Sequence, residues 1–141
     1  MNYLLDTNVV SEWVKPHPDA GVIEWLATAD EDRLYLSVAT LAELRQGVQR
    51  LAPGQRRARL DTWLRDDLPL RFDRRVLAID TAVADAWGAI VARGQATGRS
   101  ISVMDAFIAA TAEIHDLTLV TRNVADFGLL QQPILNPWRT D

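Results

Sequence analysis

A chain of 141 residues with 48% apolar content is the size of one domain, and folding at that length buries roughly 70% of the unfolded surface. The absence of cysteine excludes disulfides and thiolate metal sites and fits a reducing cytosol, while a formal net charge of −4 argues against nucleic-acid binding by the whole surface. Met1-Asn2-Tyr3-Leu4-Leu5-Asp6 has no signal-peptide pattern, and no run approaches the roughly 20 apolar residues of a membrane span. A cytoplasmic protein without membrane contact is expected.

In chain order, Asn2–Leu5 predicts a strand that turns at Asp6-Thr7-Asn8 into a short helix ending before Lys15-Pro16. Asp19 is a cap for a helix from about Ala20 to Ala29, and Leu34-Tyr35-Leu36 predicts a second strand. Ser37 then caps a helix whose apolar stripe is Val38, Leu41, Leu44, Val48 and Leu51. Pro53-Gly54 breaks it, and Arg56–Leu68 predicts the second arm of a helical hairpin. Val76–Ile79 reads as a third strand, Thr81–Thr97 as an amphipathic helix closed by Gly98, and Ser102 to His115 as a helix apolar nearly all round. Leu117–Val120 is a fourth strand and Ile134-Leu135 a fifth. Strands alternating with helices predict a single α/β domain, with a mostly parallel four- to five-stranded sheet, helices on both faces and a protruding helical hairpin.

Charge is unevenly spread. Residues 45–75 hold nine arginines against four aspartates, an excess of +5 that leaves −9 to the rest of the chain. This segment is either a solvated hairpin braced by internal ion pairs or a surface for phosphates. Four acids stand beside strand ends or helix starts: Asp6, Glu43, Asp105 and Asp126. Two carboxylates about 5 Å apart repel by roughly 3 kcal/mol at an effective dielectric of about 20. A hard divalent cation removes that repulsion, and Mg²⁺ characteristically takes a few carboxylates and keeps several waters.

Each acid also has an ordinary reading. Asp6, at the carboxyl end of a strand, is a ligand address in an open parallel sheet, or a helix cap together with Thr7 and Asn8. Glu43 falls about 140° from the centre of its helix's apolar stripe, so periodicity alone puts it on the surface. Asp105 is flanked by Ile108, Ala109 and Ala112, where a buried carboxylate needs a partner, yet Ser102-Val103-Met104-Asp105 also fits a capping box. Asp126 and Asn123 follow the fourth strand and can form a polar turn, and Thr121 can orient a neighbouring carboxylate.

The ordered set of segments Leu4-Leu5-Asp6-Thr7-Asn8-Val9-Val10-Ser11-Glu12, Ser37 to Gly47, Asp105 to Ala112, Leu119 to Asn123, Asp126-Phe127 and Asn136-Pro137-Trp138 resembles a PIN domain. More specifically it resembles the VapC-type toxins of bacterial toxin–antitoxin pairs, including the FitB-like branch. The resemblance covers essentially the whole chain. It implies Asp6, Glu43 and Asp105 as the acidic set, with Asp6 and Asp105 as direct Mg²⁺ ligands and Glu43 placing a second ion or the water. Many relatives carry aspartate two residues after the threonine, where this chain has Asn123, so either Asn123 or Asp126 completes the site.

The activity that the resemblance implies is that of a Mg²⁺-dependent endoribonuclease, Mn²⁺ being an alternative ion, in which metal-activated water hydrolyses RNA, often tRNA. Arg122 and Arg45 are the expected contacts to the RNA backbone. A cognate antitoxin, a homodimer, and operator DNA reached only through the antitoxin are the implied partners. Two rivals stand beside this reading. One is a weakly catalytic, DNA-bound antitoxin partner, which the Asn123 departure motivates. The other is an aspartyl-nucleophile phosphatase, disfavoured by Asn8 where a second aspartate belongs.

Overall fold

The computed structural model describes residues 1–138. Strands β1 (Tyr3–Leu5), β2 (Leu34–Ser37), β3 (Val76–Leu77), β4 (Thr118–Val120) and β5 (Ile134–Leu135) form one sheet in the order β3-β2-β1-β4-β5. Every pairing is parallel, with Leu4 opposite Tyr35 and Leu5 opposite Val120. Parallel neighbours need long crossovers, and helices supply them. These are α1 (Thr7–Glu12), α2 (Ala20–Thr28), α3 (Val38–Arg50), α4 (Gln55–Thr62), α5 (Leu68–Phe72), α6 (Thr81–Ala96) and α7 (Val103–His115).

Side chains alternate across a strand, so one strand feeds two cores. Leu5 packs with Val9, Val10, Leu36, Leu44 and Val120 in the first. Leu4 packs with Ile90, Ile108, Ala109, Leu119 and Phe127 in the second. Both leucines are fully buried. Truncating either to alanine opens a cavity worth about 2–5 kcal/mol. The two cores cover both faces of the sheet, as the helix–strand alternation predicts.

The caps read from the sequence form as expected. The Asp19 carboxylate accepts from Val22 N–H at 3.1 Å, Asp80 from Val83 N–H at 3.0 Å, and the Ser37 hydroxyl from Ala39 N–H at 3.0 Å. Gly98 closes α6 with a φ of 72°, in the left-handed region that a residue without Cβ enters freely.

Two boundaries differ. The expected continuous helix over Arg56–Leu68 ends at Thr62 and passes through a π turn at Trp63–Asp67, where Leu68 N–H donates to Trp63 O. Pro69 explains the wider turn: its ring crowds the carbonyl four residues back and it has no N–H to donate. The third strand is Val76–Leu77 rather than Val76–Ile79. It pairs only with β2, whose last pairing is Ser37 with Leu77 before α3 begins, so Ala78 and Ile79 meet no ladder.

Candidate functional site

The carboxyl edges of β1 and β4 meet at the centre of the sheet. The chain leaves β1 for β2 on one side and returns much later as β4 on the other, which makes this a switch point where open α/β sheets leave a crevice. Asp6 follows β1 directly and its N–H donates to Val120 O at 2.9 Å, fixing it beside Thr121. The position is deep: Asp6 is only 4% exposed.

A hydroxyl-centred network holds the Asp6 carboxylate. Thr7 N–H donates to Oδ1 at 2.8 Å, and Thr121 Oγ1 donates to Oδ2 at 2.7 Å. Thr121 is itself fully buried; its oxygen accepts from Asn123 N–H at 3.0 Å and lies 3.4 Å from Asn8 Nδ2. Asp6 is thus the helix cap that the sequence allowed, and it also carries an electrostatic load no simple cap bears. Burial, with the charges of Asp105 and Glu43 adding to it, pushes its carboxyl up from the ordinary 3.8 to about 6 against the lowering effect of the Thr121 and Thr7 hydrogen bonds.

Glu43 reaches the same edge from α3. Thr7 Oγ1 donates to Glu43 Oε1 at 2.6 Å and lies 3.2 Å from Thr40 Oγ1. The surface position suggested by periodicity is corrected: Glu43 is half-buried, because α1 packs across the α3 face that carries Thr40. Asp105 comes from the first turn of α7. Ser102 Oγ accepts from Asp105 N–H at 3.2 Å, so the cap is real. The Asp105 side chain is nevertheless raised above its ordinary value by burial, then by the charges of Glu43 and Asp126, with Ser102 opposing.

Asp126 and Asn123 divide the remaining work. Asp126 is exposed in a 3₁₀ turn over Val124–Phe127, and its charge acts on Asp105 after that of Glu43. Asn123 contributes backbone, through its N–H to Thr121 and its carbonyl to Asp126 N–H at 3.0 Å. Arg122 is exposed with its guanidinium 5.7 Å above the Trp138 ring. Arg45 is engaged elsewhere, 2.6 Å from Asp61.

The sequence reading missed one member of the site, Thr40, and one buried acid away from it, Glu12. Thr40, fully buried, lies one helical turn before Glu43 and beside the Thr7 hydroxyl. Glu12 is 2% exposed; its Oε1 accepts from Asp19 N–H at 3.0 Å, and Lys15 Nζ stands 2.6 Å from Oε2. A threonine one turn from an acid was the available signal for Thr40. Glu12, at the end of a six-residue helix, gave none.

Among the described residues, no three His, Asp or Glu side chains converge as a ready-made ion cage. The donors at this edge are all hard oxygens, and two of the carboxyls, Asp6 and Asp105, are raised by burial and by the charges of neighbouring carboxylates. Asn8 Oδ1 is buried with no hydrogen-bond partner among the described residues. A hard cation carrying several waters fits these features: it needs few carboxylates, relieves their repulsion, and brings donors for an orphaned oxygen.

Residues 3–127 match the PIN domain. Toxin FitB of Neisseria gonorrhoeae is 38% identical over 135 residues, spanning 96% of this chain and 97% of that protein. A VapC ribonuclease of Sinorhizobium fredii is 35% identical, spanning 96% of each. Among solved structures, FitAB bound to a DNA fragment superposes with a TM-score of 0.91 at 34% identity, over 99% of this chain and 97% of that one.

Proposed function

The chain belongs to the PIN-domain family, and from that membership we propose that it is a metal-dependent endoribonuclease serving as the toxin of a toxin–antitoxin pair. The observation that carries the reading is the buried Asp6, held at a strand edge by Thr7 and Thr121 while Asp105 and Glu43 press their charge on it.

Asp6 and Asp105 would hold the ion, Mg²⁺ or Mn²⁺. When bound, such an ion acidifies water, orients it, and offsets charge on the scissile phosphate. Thr121 orients the Asp6 carboxylate by occupying Oδ2, and Thr7 orients Glu43 in the same way. Glu43 then faces the crevice as a base or as a second anchor. Asp126 adds charge on the Asp105 side, and we assign the completing role to it rather than to Asn123. No histidine enters this arrangement. Arg122 is free to meet RNA phosphates, whereas Arg45 would first have to leave Asp61.

The gonococcal relative's name, and the DNA-bound state of FitAB, support an antitoxin partner through which operator DNA is reached. Exposed Val103, beside the stacked Trp87 and Phe107 rings, supports a homodimer face. Among the described residues no helix is long and apolar enough to cross a membrane. The test compares RNA cleavage by the wild-type chain and by Asp6→Asn, with Mg²⁺ and with a chelator. Metal-dependent cleavage that vanishes in the variant supports the reading. Equal cleavage by both excludes the site, and cleavage by neither leaves the DNA-bound regulatory role.

A further inference from the structure

Resting on the ribonuclease reading, we propose that Arg99 is a substrate-positioning residue that grips the RNA phosphate next to the scissile one, from a seat built by Gly128. A cavity of about 80 Å³ lies beside the acidic edge, lined by Arg99, Ser100, Asp126, Gly128 and Leu129 among others. It shares Asp126 with the site, and Asp126 stands close enough for its charge to act on Asp105 alongside that of Glu43. A phosphodiester strand crossing the carboxylates therefore passes this cavity.

Arg99 is presented there by its surroundings. Its backbone is pinned by a 2.7 Å hydrogen bond from its N–H to Gly94 O. A Cβ at Gly94 would come within 2.5 Å of Arg99 O, so that close approach needs a glycine. A Cβ on Gly128 would stand 2.5 Å from Arg99 Nη1 and 3.0 Å from Cζ, so the guanidinium occupies the space that the missing side chain leaves open. The nearest arginine in sequence, Arg93, is committed: it donates to Glu113 Oε1 and Leu129 O, both at 3.1 Å. Among the described residues, no carboxylate lies within ion-pair distance of Arg99. An exposed guanidinium whose backbone is pinned, and which rests beside Gly128 without an anionic partner, offers a planar fork that matches two oxygens of a phosphate. Charge favours such a role: an acidic edge repels RNA less where cations flank it.

The experiment measures kcat and KM for a single-stranded RNA oligonucleotide in Mg²⁺ at several KCl concentrations. It uses wild type, Arg99→Ala, Arg99→Lys, Gly128→Ala and the Arg99→Ala/Gly128→Ala double variant. The expected result is a KM about 10-fold higher or more in Arg99→Ala, with kcat nearly unchanged and partial recovery in Arg99→Lys. The salt slope of kcat/KM should flatten by about 0.7, the value for one phosphate contact on a single strand. Gly128 has an ordinary helical φ of −61°, so alanine fits its backbone and moves only the flexible guanidinium. Gly128→Ala should therefore raise KM as well, and the double variant should be no worse than Arg99→Ala alone. Unchanged KM and salt slope in Arg99→Ala, with wild-type cleavage intact, overturn the Arg99 assignment only. Failure of wild type to cleave RNA in Mg²⁺ or Mn²⁺ overturns the ribonuclease reading and this inference with it.

Discussion

Asp6 and Asp61 are the same side chain in opposite circumstances. Asp61 sits among the arginines of the hairpin, 2.6 Å from Arg45 and 2.9 Å from Arg65, and the Arg45 hydrogen bond holds its carboxyl below the ordinary range. Asp6 sits at the sheet edge with neutral partners and acidic neighbours, and burial pushes it up to about 6. The contrast extends to their surroundings. In the hairpin region Arg65 also meets Asp66, Arg71 meets Glu31, and Arg75 caps the carbonyls of Glu31, Leu34 and Arg71. Much of its charge is spent on internal bracing, although Arg50, Arg56, Arg59 and Arg74 have no such partner among the described residues. At the sheet edge the charge is left unbalanced. A protein tolerates that where a ligand restores the balance, and the basic segment, dense as it is, contributes less to the candidate site than four scattered acids.

The largest expected effect comes from removing the unbalanced charge. Asp6→Asn should reduce RNA cleavage by at least about 100-fold. In chelator at pH 8 the same variant should be more stable than wild type, by up to about 3 kcal/mol, since a shift from 3.8 to about 6 measures the cost of ionising Asp6 in place. Urea unfolding of the two proteins checks it; a destabilised Asp6→Asn would mean that the carboxylate is a structural partner.

Thr121→Val comes next. It keeps the shape and removes the 2.7 Å bond to Asp6 and the acceptor for Asn123 N–H, so divalent-ion affinity should fall about 10- to 100-fold and stability by about 1–3 kcal/mol. Titration calorimetry with Mn²⁺ reads the first and urea unfolding the second.

The pH dependence of the wild-type minus Asp6→Asn difference sharpens the comparison further. Between pH 4 and 6 the folded state holds a proton on Asp6 that the unfolded chain has released, so Asp6 lowers stability as pH rises through that window. Asp61, held low, works in the opposite direction: its contribution is lost as pH falls. Subtracting the Asp6→Asn curve isolates the first group, and saturating Mg²⁺ should flatten the difference. The smallest effect belongs to Arg45→Ala, which breaks a half-exposed pair and should leave both thermal stability and metal affinity close to wild type. A large loss of metal affinity there would erase the distinction between the two regions.

Much of this architecture was legible because local signals agreed with one another. Period-two leucines, Asp and Ser caps and the glycine after α6 all act within a few residues, and the elements those signals mark formed there apart from the two boundaries that differ. Asp6 was legible for the same reason, lying on the boundary between strand and helix. Glu43 was not. Its burial comes from Thr7, 36 residues away, and a helical wheel has no knowledge of which neighbour covers the second face. The π turn after Thr62 was hidden because helical periodicity persists through it, and only Pro69 betrays the missing donor. Arg99 carries no sequence signal either. Its meaning depends on Gly128 lying beneath it, a contact made by the fold.

Titration of the wild-type chain and of Asp6→Asn with Mg²⁺ at pH 7.5, followed by the shift in unfolding temperature, tests the claim that the buried carboxylates hold a cation. The wild type should gain stability with increasing ion concentration, and Asp6→Asn should start higher in chelator and gain nothing. A wild-type chain indifferent to the ion, or a variant that gains as much, would contradict it.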